Sequence, residues 1–154
     1  RAHSNDIPSA MLLAERQIGK DRAAAIKTYE QVLAKTPDNF VVLNNLAFLA
    51  LEDKKLTRAE ELAKKAVSLQ RENADAADTL AQIYIAKGDK AAALKLYEEV
   101  AARPIANDDV YLNYVSVLLE LDKKALASRK LASREFKSEA AKQRAESLKQ
   151  QYGL

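Results

Sequence analysis

Cysteine and tryptophan are absent from the 154 residues, histidine occurs once, and glycine and proline number three each. Without cysteine there is no disulfide, no thiolate nucleophile, no iron–sulfur cluster and no cysteine-zinc site. The one histidine, His3, sits in a ragged N-terminus. Ser-His-Asp triads, HExxH motifs and multi-histidine metal sites are excluded. So few glycines and prolines argue against an all-β sandwich or barrel, which turns every ten residues or so. No two of Gly19, Gly88 and Gly153 share a loop, so a Rossmann or P-loop phosphate cradle is excluded as well. No apolar run approaches the ~20 residues that span a bilayer. No signal peptide or lipobox is visible. The chain begins at Arg1 rather than Met and reads as a piece of a larger protein, with an export signal or anchor left open upstream. The compartment, periplasmic and membrane-anchored or cytoplasmic, stays open too.

What is present suits a folded domain. Hydrophobic residues make up 48% and charged residues 31%, too apolar for disorder. The formal net charge is +3, but it is unevenly placed. Residues 1–121 carry 16 Lys/Arg and 18 Asp/Glu, whereas residues 122–154 carry 9 and 4. The basic character belongs to the C-terminal tail.

Several columns share one interval of 34 residues: Ala25, Ala59, Ala93 and Ala127; Asn39, Asn73 and Asn107; Leu12, Leu46 and Leu80, with Tyr114 fourth. Tyr29 and Tyr97 stand two intervals apart. Within each interval apolar residues recur at three and four, which predicts two helices per unit. The spacing predicts helices over 7–19, 22–35, 40–52, 57–70, 74–87, 90–103, 108–121 and 124–136, and a ninth over 138–151. Asn39, Asn73 and Asn107 are placed to accept from orphan N–H groups at first-helix starts, and Ser138 at the ninth. Asp21 and Asp89 precede second helices, and Thr57 with Glu60 reads as a capping box. Gly88 suits a left-handed helix end. Pro37 and Pro104 close their units. The small residues Ala47 and Ala81 in first helices, with the Ala25 column in second helices, let backbones approach while Leu46, Tyr84 and Tyr97 fill the gaps.

These residues resemble the tetratricopeptide repeat (TPR) family. Unit 74–107 carries Leu80-Ala81, Tyr84, Gly88, Ala93, Tyr97 and Pro104, with Leu-Ala where the family has Leu-Gly. Unit 6–39 keeps Ala25, Tyr29 and Pro37, and unit 40–73 keeps Leu46-Ala47, Ala59 and Ala66. Unit 108–141 is degenerate. The resemblance implies an all-α, right-handed superhelical solenoid over residues 6–137, with a capping helix and tail over 138–154. More narrowly, Asn44-Asn45-Leu46-Ala47, residues 59–66 and Asp78-Thr79-Leu80 resemble the C-terminal repeats of bacterial TPR lipoproteins of the PEP-CTERM/exosortase systems.

In such arrays, by resemblance, first helices line a concave groove. Here that set is Val41, Asn44, Asn45, Phe48, Leu51 and Glu52, then Asp75, Asp78, Gln82 and Ile85, then Asp109, Leu112, Asn113, Ser116, Leu119 and Glu120. Asn45 and Asn113 are the sharpest partner contacts, because an amide offers donors and an acceptor; the alternative is that they bridge adjacent helices. Phe48, Leu51, Ile85, Leu112 and Leu119 form either an exposed apolar strip or core. Asp75, Asp78, Asp109 and Glu120 give an acidic rim that favours a Lys- or Arg-bearing ligand, or they complement helix N-termini. The groove lacks the Lys/Arg set that clamps a C-terminal carboxylate in one TPR subclass. The function implied is a protein–protein interaction scaffold or adaptor that binds a peptide or partner domain. No catalysis, cofactor, metal or small-molecule substrate is expected. Two alternatives stand beside it: a spacer or self-association segment of a longer solenoid, and contact of the basic tail with an anionic surface or nucleic acid.

Overall fold

The computed structural model describes residues 6–154; His3 lies outside them. Among the described residues are nine α-helices and no strand: α1 (Ile7–Ile18), α2 (Arg22–Lys35), α3 (Phe40–Glu52), α4 (Leu56–Leu69), α5 (Ala74–Ala86), α6 (Lys90–Val100), α7 (Asp108–Glu120), α8 (Lys124–Ala132) and α9 (Glu139–Tyr152). They gather into two compact units, Arg1–Arg71 and Glu72–Leu154. In unit 1, α1 pairs with α2 and α3 with α4, and α2 packs on α3. In unit 2, α5 pairs with α6 and α7 with α8, and α9 lies on both α7 and α8. None of the described helices is long and apolar enough to cross a membrane.

The alanine column explains the pairing. Ala25, Ala59, Ala93 and Ala127 are fully buried, as are Ala47 and Ala81 on the facing first helices. A Cβ is all these crossings admit, and Tyr29 and Tyr97, also fully buried, fill the volume beside them. A leucine at such a crossing would overpack it, costing about 1–3 kcal/mol.

The helix starts follow the capping chemistry. Asn39, Asn73 and Asn107 each accept a backbone N–H, from Val42, Ala76 and Asp109. Asp21, Asp89 and Ser138 do the same at α2, α6 and α9. The expected capping box at Thr57 does not form. Helix α4 begins one residue earlier, Lys55 is its N-cap with no side-chain bond, and Glu60 pairs with Lys64 instead.

The ends of α3, α5 and α7 share one device, which α1, with Gly19 at φ −82, lacks. Gly88 takes φ +86, and the N–H groups of Gly88 and Asp89 bond the carbonyls of Ile85 and Tyr84. This is a Schellman turn. Lys54 and Asp122, one interval either side, adopt φ +58 and +57 with the same pair of bonds, despite their side chains. Two second helices end earlier than the periodicity predicts. Helix α6 stops at Val100 because Arg103 precedes Pro104, which disfavours helical backbone. Helix α8 stops at Ala132, which frees Arg134 to reach the loop before α7.

One expected column breaks. Leu12 is half exposed, whereas Leu46 and Leu80 are buried. On α1 the buried small residue is Ala14, one place beyond its expected position, and Leu13 is exposed with Leu12. The helix is rotated by one residue about its axis relative to the register that Leu46 and Leu80 set.

Candidate functional site

The first helices present the predicted residues very differently in the two units. In unit 1, helical spacing puts Val41, Asn44, Asn45 and Phe48 on one face of α3. Val41 and Phe48 are 42% and 48% exposed, well above a core residue. Asn44 and Asn45 are half-buried between them. Asn45 Nδ2 donates to the hydroxyl of Tyr29 at 3.0 Å, which leaves its Oδ1 facing outward. Asn44 Oδ1 has no partner. Leu51 is half-buried, and Glu52 is held 2.7 Å from Arg22. Burial raises the Tyr29 hydroxyl's pKa; the Asn45 bond opposes the shift, and the charge of Glu15 on α1 adds to it.

In unit 2 the same helix faces are spent on internal bonds. Asp78 accepts from the Tyr97 hydroxyl at 2.5 Å and from Asn113 Nδ2 at 2.9 and 3.2 Å. Gln82 donates to the same tyrosine at 3.1 Å. Asn113 Oδ1 accepts from the Arg144 guanidinium of α9 at 2.6 Å. A second nitrogen of that guanidinium lies 3.6 Å from Asp109. Asp75 accepts from Asn107 at 2.9 Å. Burial raises the Asp78 pKa above its ordinary value, although bonds from Tyr97, Asn113 and Gln82 pull the other way. Tyr97 is raised strongly, first by burial and then by the Asp78 charge.

Three apolar or hydroxyl candidates of unit 2 do not face outward. Leu112 and Leu119 are buried, so for these two the core alternative holds. Their side chains pack with α9 residues such as Ala141 and Ala145 in one cluster. Ser116 bonds the Leu112 carbonyl of its own helix at 2.8 Å. Ile85 is partly buried against the same core. Glu120 is paired with Lys90 at 2.9 Å. The rim aspartates are only partly free: Asp109 remains exposed, Asp75 is exposed but bonded, and Asp78 is half-buried and bonded.

The asparagines therefore have less freedom than an amide has in principle. Asn113 is fixed by chemistry: a carboxylate only accepts and a guanidinium only donates. Its NH2 must face Asp78 and its oxygen Arg144. Sequence reading missed Tyr29, Tyr97, Glu15 and Arg144 as members of these sites. The tyrosines carried a signal, because Tyr29 precedes Asn45, and Tyr97 precedes Asn113, by the same 16 residues. Arg144 carried none, since it lies outside the repeat.

Among the described residues no cluster of three His, Cys, Asp or Glu could hold a metal ion. A shallow cleft in unit 2 is lined by Tyr111, Lys130, Arg134 and Lys137, among others. Its arginine is committed: it contacts Asp108 at 2.6 Å and the Ile105 carbonyl at 2.7 Å, and lies 4.2 Å over the Tyr111 ring.

Comparison with known proteins agrees with this architecture. The chain has no match among curated protein sequences. Its fold is similar to that of a tetratricopeptide repeat protein from Parabacteroides merdae, with TM-score 0.75 and 18% identity over 96% of this chain and 60% of that one. It is also similar to a thermophilic TPR protein from Thermus thermophilus, with TM-score 0.71 and 20% identity over 82% and 71% of the two chains. The first TPR of Spaghetti (RPAP3), solved bound to the HSP90 peptide SRMEEVD, matches with TM-score 0.68 and 21% identity over 79% and 99%. The chain thus spans about three-fifths of the Parabacteroides protein and nearly all of the Spaghetti repeat domain. Two family models described as tetratricopeptide repeat match residues 19–83 and 73–103, together more than half of the sequence. With its period of 34 residues and its paired helices, the chain belongs to the tetratricopeptide repeat family.

Proposed function

We propose that this chain is a non-catalytic interaction module that holds a peptide or partner domain on the first-helix face of unit 1. The observation that carries this reading is the exposure of Val41 and Phe48 beside Asn45, whose side-chain oxygen is left for a partner. An aromatic ring left half in water on an otherwise buried helix costs free energy that a partner recovers. Tetratricopeptide repeats are a protein-interaction fold, and a relative of this fold is solved with a peptide bound. The α9 helix serves unit 2 as a cap: it covers apolar α7 side chains and turns Lys142, Gln143 and Glu146 to solvent. A place in a larger bacterial lipoprotein of the exosortase type rests on the sequence words around Asn44, residues 59–66 and Asp78.

The basic tail supports an anionic-surface role less well, because most of its cations have partners. Lys142 and Lys149 pair with Glu139 and Glu146, Lys124 bonds the Tyr152 carbonyl, and Lys130 sits over the Tyr114 ring. The deciding experiment is selection of a random peptide library against the whole chain, with Phe48→Ala and Val41→Ala chains as counter-targets. Peptides that need Phe48 and Val41 are expected. If no peptide is enriched, or if enriched peptides bind both variants undiminished, the unit 1 face is not a partner site.

A further inference from the structure

We propose that the unit 1 face is an arginine site, in which a partner's guanidinium lies on the Phe48 ring and donates to Asn45 Oδ1. The inference rests on the reading of this face as the partner site and names the chemistry it takes.

The chain supplies its own precedent. Asn45 and Asn113 occupy the same repeat position, two intervals of 34 residues apart. Each has its NH2 turned inward, onto the Tyr29 hydroxyl in unit 1 and onto the Asp78 carboxylate in unit 2. Each thereby leaves its carbonyl oxygen for a ligand, and that oxygen takes a donor. In unit 2 that donor is present, and it is a guanidinium: Arg144 of α9 at 2.6 Å. Among the described residues unit 1 contains no fifth helix, and the one hydrogen bond of the Asn45 side chain is the one its Nδ2 gives Tyr29.

Two surroundings favour arginine over other donors. The ring of Phe48 stands one turn beyond Asn45 on the same helix face and is half exposed. A flat guanidinium stacks on such a ring while its edge N–H groups reach a neighbouring acceptor. Elsewhere this chain makes that very contact, with Arg134 lying 4.2 Å over Tyr111 while bonding Asp108. Second, Glu15, exposed on α1, adds negative charge to the field at the Tyr29 hydroxyl that Asn45 bonds. In unit 2 the acid near the bound guanidinium is Asp109. Its equivalent in unit 1 is Val41, which carries no charge.

The test is a titration of the whole 15N-labelled chain with the capped tripeptide Ala-Arg-Ala, followed by the Asn45 side-chain amide and the Phe48 ring. Capped Ala-Lys-Ala and Ala-citrulline-Ala are the comparisons. Saturable shifts confined to Asn45, Phe48 and Glu15 are expected with arginine, with weaker binding of both analogues. Phe48→Ala, a change at an exposed position that leaves the core intact, should weaken arginine binding about three- to fivefold. Asn45→Asp, to which Tyr29 can donate as Tyr97 does to Asp78, should tighten it about threefold or more. Equal binding of lysine or citrulline, no saturable shift, or shifts unchanged in Phe48→Ala would overturn the proposal. The peptide selection separates the two readings: Phe48-dependent peptides without enriched arginine leave the interaction module standing and remove the arginine site.

Discussion

Asp78 accepts a 2.5 Å hydrogen bond from Tyr97 and still keeps its proton to higher pH than a free aspartate does. Burial outweighs the bonds it receives, so the folded chain binds a proton here more readily than the unfolded chain. The stability this gives is present in full below the ordinary value of 3.8 and is lost as pH rises through the raised one. Asp78→Asn keeps the Oδ1 acceptor and removes the charge. Urea unfolding from pH 3.5 to 7 should show the variant gaining on the wild type as pH rises. A constant difference between the two curves would mean that Asp78 titrates as a solvated group.

Asp108 should behave with the opposite sign. Bonds from Arg134 and from the Lys137 backbone N–H hold its carboxyl below the usual range. Its contribution is present above 3.8 and disappears as pH falls through the depressed value. Arg134 also bonds the Ile105 and Ala106 carbonyls, so it ties the segment after α8 to the loop before α7. Arg134→Ala should cost about 2–3 kcal/mol, because both the carboxylate and the carbonyls lose their donor. Arg134→Lys should recover less than half of that, since an ammonium cannot span the fork. Thermal melts at pH 7 distinguish the three proteins, and equal melting of the lysine variant and wild type would refute the fork.

The left-handed turns give a prediction of stabilisation. Lys54 and Asp122 carry side chains at φ near +57, where Gly88 carries none. Lys54→Gly and Asp122→Gly should each raise stability by about 0.5–1 kcal/mol, the relieved backbone strain exceeding the added entropy of the unfolded chain. Gly88→Ala should lower it by a similar amount. Chemical denaturation of the single variants checks the signs, and a destabilised Lys54→Gly would show that the lysine side chain contributes more than its backbone costs.

How far the fold was legible follows from where its information lies. Alanine columns, asparagine caps and the 34-residue period are local, and they placed each helix start to within a residue. The left-handed backbone at Lys54 and Asp122 was not legible, since neither residue type announces it; only alignment with Gly88 does. The rotation of α1 hid because Leu12 fits the column in sequence while Ala14 occupies the crossing in space. At the site, Asn45 and Asn113 were readable as repeat equivalents. Their polarity was not, because it depends on what Tyr29 and Asp78 do behind them. Leu112 and Leu119 stayed open between strip and core for a similar reason: an apolar first-helix face becomes core when α9 lies on it, and α9 is outside the repeat.

A last column was overlooked because its members differ in type. Arg22, Lys90 and Lys124 stand at the first position of α2, α6 and α8, and Leu56 takes that place in α4. Each cation reaches the C-terminal end of the first-type helix that follows. Arg22 bonds the Leu49 carbonyl at 3.0 Å and pairs with Glu52 and Asp53 at 2.7 and 2.9 Å. Lys90 pairs with Glu120 at 2.9 Å, and Lys124 bonds the Tyr152 carbonyl at 3.1 Å. A cation there meets the negative end of a helix and its unpaired carbonyls. Arg22→Ala should therefore cost about 1 kcal/mol, and Lys90→Ala about half as much, since an exposed pair is worth little. Salt separates the two contributions. In 1 M sodium chloride the Lys90 effect should vanish, while Arg22 should keep most of its own, because its carbonyl bond is not screened as an exposed ion pair is. If Arg22→Ala loses its effect in salt to the same degree, the carbonyl bond contributes nothing and the column acts through charge alone.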